Sequence, residues 1–262
     1  MTLLKAHTAR RVNLFGIGAP RTATSSLAWM LRGTGKVFVP EAKEMNGFGI
    51  DADVTESVYE MRFSEARTEH RYLADISPVY LSSIQVAEGI QAYNPEAKII
   101  ATLRDPVSRV ISHYRHMKGK IDPSLGPELK LNINSYIRKG LADIYDNKLE
   151  YNSWYSAAMN INHSFYGKHL QSYYRRFPHN QILVLVYDDL TRWRPFRQGL
   201  WARQLQRFLG VNVNQKCRDN RAVGFETKIA DDVAVDLKKL FAADVSTTSD
   251  LIGRDLGRLW GY

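Results

Sequence analysis

"VNLFGIGAPRTATSSLAWML", residues 12–31, decides the fold. The apolar run Val12 to Ile17 reads as a short buried strand, and Leu27, Met30 and Leu31 mark one face of a helix. Between them the chain must turn sharply. A strand that turns directly into a helix presents unpaired backbone N–H groups and the positive end of the helix dipole, which together make an anion site. Gly16 and Gly18 permit close approach, Arg21 adds a cation with a planar fork, and Thr22, Thr24, Ser25 and Ser26 add hydroxyls. A nucleotide triphosphatase loop would end in Gly-Lys-Ser/Thr, with the lysine on the terminal phosphates and the hydroxyl on magnesium. Here Arg21 comes earlier and no Gly-Lys follows, so the loop suits a phosphate-like group without a magnesium ligand of its own.

Further strands are expected at Lys36 to Val39, Tyr72 to Asp75, Lys98 to Leu103 and Ile182 to Tyr187, separated by helix-period segments. Val107, Val110, Ile111 and Tyr114 repeat at helical spacing behind Pro106, and a further helix is expected from Ile133 to Tyr145. This alternation predicts an α/β fold, a P-loop-like three-layer α/β/α sandwich around a mainly parallel sheet. Residues 1–262 read as one domain. The Pro- and Gly-rich "KGKIDPSLGPELK" from 118 opens an expected substrate lid over about 118–155.

With 36 Lys+Arg against 27 Asp+Glu, the formal charge of +9 favours a ligand carrying several negative charges. No groove-reading or base-stacking motif accompanies that charge, so no specific nucleic acid is expected. One cysteine, Cys217, excludes an internal disulfide and a Cys-rich zinc site, and it reads as a small packed residue. The longest apolar runs are of strand length, so a cytoplasmic protein without a membrane span is expected.

The second informative stretch is "ATLRDPVSRVISHYRH", residues 101–116. Arg104 leaves the end of a strand, and Ser112, eight residues on, lies two turns into the next helix, where both can face one phosphate. Together the two loops resemble the sulfotransferases that use 3′-phosphoadenosine 5′-phosphosulfate (PAPS), in particular carbohydrate- and heparan-type and bacterial members. "PRTATSS" is similar to the family's 5′-phosphosulfate loop, with Ala23 in place of its glycine, and "RDPVSRVISHY" to its 3′-phosphate element. The likeness extends to "PEAKEMNGFG", "YLADISPVYL", "YGKHLQSYYRRFPHNQILVLVYDDL" and "LIGRDLGRLWGY".

The resemblance implies transfer of a sulfonate from PAPS to a hydroxyl or amine acceptor, a glycan or a small molecule, with no metal and with the bisphosphate PAP as product. It places Pro20, Arg21, Thr22, Ala23, Thr24, Ser25, Arg104 and Ser112 on the donor, and Arg218 or Arg221 in a late loop over its 3′-phosphate. Arg21 would stabilise the bridging oxygen, Glu44 would be the base, and Lys43 would steady the sulfonate. Asp75 is open between a second cleft carboxylate and a helix-capping acid, and Ile76 stands where the family often has lysine. His113, about a hundred degrees around the helix from Ser112, is expected to pack or to face solvent. Lys118, Lys120, Arg138 and Lys139 suit an acidic acceptor, and Tyr151, Trp154 and Tyr155 a sugar or phenol. A nucleotide kinase-like phosphoryl transferase, or a non-catalytic nucleotide- or anion-binding module, would share the same loops.

Overall fold

The computed structural model describes residues 10–48, 55–120, 122, 126–148, 155–191, 199–213 and 228–262. Five strands form the sheet: β1 Leu14–Gly18, β2 Val37–Phe38, β3 Tyr72–Ile76, β4 Lys98–Leu103 and β5 Ile182–Val186. Helices α1 Thr24–Arg32, α2 Glu56–Met61, α3 Ile84–Tyr93, α4 Pro106–Lys118, α5 Ile133–Tyr145 and α6 Ala157–Asn162 are followed by α7 Tyr166–Tyr174. Then come α8 Tyr187–Thr191, α9 Leu200–Leu209, α10 Asp231–Ile252 and α11 Leu256–Trp260. Each strand falls where its apolar run placed it. The fifth gives up Tyr187, which opens α8.

The strand order is β2-β3-β1-β4-β5, and every neighbouring pair is parallel. Alternate strand residues enter two different cores, which is why the strands read as continuous apolar runs. Leu14, Ala74, Ile76, Ile100 and Leu185 pack with Leu27 and Leu31 of α1 and Trp201 and Leu205 of α9. Phe15, Ile17, Leu73, Ile99 and Ala101 pack on the other face with residues of α3, α4, α7 and α10. These are the three layers.

This order also places the site. The chain leaves β1 towards β2 on one side and leaves β4 towards β5 on the other, so the connections diverge between β1 and β4. In open parallel sheets that divergence opens a crevice at the carboxyl ends of the strands, where ligands bind. The loop carrying Arg21 leaves β1, and Arg104 leaves β4.

The segment read as the start of a lid is partly regular. Helix α4 runs to Lys118, and a 3₁₀ turn covers Pro127–Lys130 before α5, whose bounds coincide with the expected helix. Arg138 and Lys139 pair with Asp232 (2.6 Å) and Asp143 (2.5 Å). Two of the cations considered for an acidic acceptor are thus already partnered.

Candidate active site

The turn after β1 is forced by glycine. Gly18 has φ 109°, and a Cβ there would lie 1.9 Å from the Pro78 carbonyl oxygen, so no other residue fits. Arg21 (φ 69°) and Ala23 (φ 73°) both take left-handed backbone, with Ala23 as the N-cap of α1. No side chain caps that helix end and no acidic residue lies in its first turn, so an incoming anion meets the helix dipole directly. A glycine suits the conformation of Ala23 better. Ala23→Gly should therefore raise stability by about 1 kcal/mol, a Tm gain of about 2–4 °C in thermal unfolding. A lower Tm would contradict that account.

Thr22 corrects one expectation. Its hydroxyl is fully buried, donates to the Ala19 carbonyl (2.5 Å) and meets the Thr102 hydroxyl (2.6 Å), pinning the loop to β4. What Thr22 can offer an anion is its backbone N–H. Thr24 and Ser25 instead face Lys43, whose ammonium lies 3.5 Å from each hydroxyl and 2.7 Å from Glu44. Lys43 and Glu44 follow β2, and the tertiary fold brings Lys43 to the amino end of α1 with Glu44 beside it.

Arg104 is fixed from two sides. Its carbonyl accepts from the Tyr166 hydroxyl (2.9 Å), and its guanidinium lies 4.7 Å over the Tyr187 ring. Next to it Asp105 caps α4 by accepting from the Ser108 N–H (2.7 Å), with the Tyr262 hydroxyl 3.5 Å from its other oxygen. Trp260 donates to Asp188 (3.1 Å), so the carboxyl-terminal motif packs behind the Arg-Asp-Pro turn.

Arg21 reaches helix α4, donating from Nε to the Ser112 hydroxyl (3.4 Å) and from Nη1 to His116 Nδ1 (3.3 Å). Its pKa is lowered, first by burial and then by the charge of Arg104. Behind them Arg109 is fully buried, bonded to Ser164 and Asn160, with its pKa brought down to about 10 chiefly by burial. Among the described residues, no ion pair within 4 Å joins a carboxylate to Arg21, Arg104 or Arg109. Uncompensated positive charge gathered at a strand-end crevice is what a polyanion binds.

A sulfotransferase domain model matches residues 21–226. The chain belongs to the sulfotransferase family. It superimposes on a sulfotransferase from Alicyclobacillus acidocaldarius with a TM-score of 0.75 and 25% identity, over 97% of this chain and 100% of that one. A sulfotransferase domain from the curacin biosynthetic pathway shares the fold at a TM-score of 0.54 and 17% identity, over 92% and 98% of the two chains. The three-layer parallel architecture of this sulfotransferase is thus that of its relatives, and the activity it carries is sulfonyl transfer.

Asp75 fills neither role considered for it. It is fully buried and accepts from the hydroxyls of Tyr59 (2.9 Å), Tyr80 (2.8 Å) and Ser77 (2.6 Å) and from the Met45 N–H (3.4 Å). Burial pushes its pKa up, against those hydrogen bonds. Ser77 in turn accepts from the Asn46 N–H (3.1 Å), so the pair anchors the loop that carries Lys43 and Glu44. Ile76 is core: a Cβ on Gly16 would lie 2.6 Å from its Cδ1, and no cation is presented from that position. His113 is buried, the first of the two placements open to it. Arg218, Arg221, Cys217, Tyr151 and Trp154 lie outside the described residues, and no helix among the described residues is long and apolar enough to cross a membrane.

Proposed function

We propose that this sulfotransferase takes its sulfonate from PAPS and delivers it to a hydroxyl or amine acceptor. The observation that supports this most is the convergence of Arg21 and Arg104 on one crevice, with Arg104 close enough that its charge lowers the Arg21 pKa and, among the described residues, neither paired with a carboxylate. A donor carrying phosphate at both ends of its ribose offers the two separated anions that such an arrangement needs. When bound, PAPS supplies the sulfonate: the acceptor atom bonds to sulfur as the S–O bond to the 5′-phosphate breaks.

The chain's own groups position and neutralise. Arg21 and the open amino end of α1 bind the 5′ end and take up the charge that develops on the leaving oxygen. Arg104, held over Tyr187, and Ser112 hold the 3′-phosphate, with Arg218 or Arg221 assigned to the same group. Lys43 steadies the sulfonate. Glu44, partly exposed beside it, accepts the proton of the attacking hydroxyl or amine.

Calorimetric titration with adenosine 3′,5′-bisphosphate, beside ATP with magnesium, tests the reading. The bisphosphate should bind, and Arg21→Ala and Arg104→Ala should each raise its Kd about 10- to 100-fold, the range for losing a hydrogen bond to a charged group. Binding of magnesium-ATP alone would instead favour the kinase-like phosphoryl transferase. Bisphosphate binding without turnover of PAPS across an acceptor screen would favour the non-catalytic module.

A further inference from the structure

We infer that His116 is a positioning residue for Arg21, serving as a neutral imidazole that accepts from the guanidinium through Nδ1 and carries its own proton on Nε2. Its consequence for turnover rests on the sulfonyl-transfer reading of the site; its tautomer does not.

The argument begins with what each group can donate. A guanidinium has only N–H groups and no acceptor, so a contact of 3.3 Å between Arg21 Nη1 and His116 Nδ1 is a hydrogen bond only when Nδ1 presents its lone pair. The ring is then neutral with hydrogen on Nε2. His116 lies four residues after Ser112, on the same face of α4, and Ser112 accepts from Nε of the same guanidinium (3.4 Å). Two successive turns of one helix therefore grip two edges of Arg21.

The backbone gives that grip a purpose. Arg21 takes left-handed φ on a loop between two glycines and a helix start, and a long side chain leaving such a loop has many rotamers to lose. Ser112 is also assigned to the donor's 3′-phosphate, which leaves His116 as the acceptor devoted to Arg21.

The charges around the ring agree. Arg21 from the first loop, Lys120 beyond the end of α4 and Lys43 from the loop after β2 all disfavour imidazolium, and Glu44 alone favours it. Burial is the largest effect, and together they bring the His116 pKa down to about 4, so the ring is uncharged at neutral pH. With Nδ1 engaged and Nε2 protonated, His116 has no free lone pair for the acceptor's proton. That role stays with Glu44.

The 15N shifts of the His116 ring, in the whole protein at pH 7, test the contact directly. The expected pattern is an unprotonated Nδ1 and a protonated Nε2, relaxing towards a mixture of tautomers in Arg21→Ala. A dominant Nδ1–H tautomer or a protonated ring would overturn the inference. Kinetics supply the second arm. His116→Phe removes the acceptor and should lower kcat about 10- to 100-fold, the scale set by small displacements of a reacting group, with the KM for PAPS changed less than about threefold. His116→Asn places an acceptor oxygen the same number of bonds from Cα as Nδ1 and should recover kcat to within about threefold. Equal impairment of both variants, or of neither, would overturn the positioning role. Failure of all variants and of the parent to transfer sulfonate would count against the functional reading, and the ring shifts would still decide the contact.

Discussion

Glu44→Gln should lower the kcat for sulfonyl transfer about 10²- to 10⁴-fold, the range for losing a general base, while the Kd for adenosine 3′,5′-bisphosphate stays within about twofold. Three observations make this the most telling substitution. Glu44 sits beside Lys43, whose ammonium reaches the hydroxyls of Thr24 and Ser25 at the amino end of α1. Its loop is anchored from below by Asp75 and Ser77 through the Met45 and Asn46 N–H groups, so a carboxylate on a short loop is held in place by buried groups. The other carboxylate of that region, Asp75, is fully buried and already accepts four hydrogen bonds. Glutamine keeps the shape and loses the proton affinity. Single-turnover measurement with pre-bound PAPS isolates the chemical step, and a Glu44→Gln rate within a few-fold of the parent would move the base elsewhere.

Acid should unfold this protein early, and the expected loss is large. His113, His163 and His169 are buried, and burial is the first cause of each lowered pKa: well below the ordinary value for His113, to about 3 for His163 and to about 4 for His169. The unfolded chain binds protons at these three positions near pH 6.5, and the native chain does not until the pH approaches their lowered values. Stability is thus complete above about pH 6.5 and falls as the pH drops from there towards 4. At pH 5 His163 and His169 each cost about 2 kcal/mol, together about 4 kcal/mol, with His113 acting in the same direction, against a total stability of about 5–15 kcal/mol for ordinary domains. The carboxyls of Asp75 and Asp244, raised by burial, work in the opposite sense in the most acidic part of that window. Urea unfolding at pH 5, 6, 7 and 8 should show a falling midpoint below pH 6.5, with proton uptake on unfolding. A flat midpoint from pH 8 to 5 would mean that these rings are not held neutral.

Much of the architecture was legible because it is local. Strands β1, β3 and β4 are apolar runs buried on both faces and β5 is an apolar run partly buried at Leu183 and Val184, so they stand out from any partner, and α5 was readable to its last residue from its spacing of apolar side chains. Small shifts at strand ends have identifiable reasons: Gly18 continues β1 because its backbone can pass under Pro78, and Tyr187 leaves β5 to open α8, where its ring lies under Arg104. Part of the candidate site was also placed from the sequence, since Arg21, Ala23 and Arg104 lie in the turns that leave β1 and β4 at the strand ends.

The sequence by itself determined the parallel sheet, the sharp turn after β1 and the Arg-Asp-Pro turn after β4, because periodicity and loop composition act over a few residues. Tertiary structure alone decided what those residues touch. Thr22 turns its hydroxyl to Thr102, eighty residues away, and leaves only its backbone for an anion. Asp75 became a buried anchor because Tyr59, Tyr80 and Ser77 close on it, and no spacing in the chain announces that meeting. His116 carried a readable signal, its four-residue spacing from Ser112, but its partner comes from the other loop, 95 residues earlier. Such contacts depend on the strand order that sets β4 beside β1, and strand order is the outcome of packing the whole sheet.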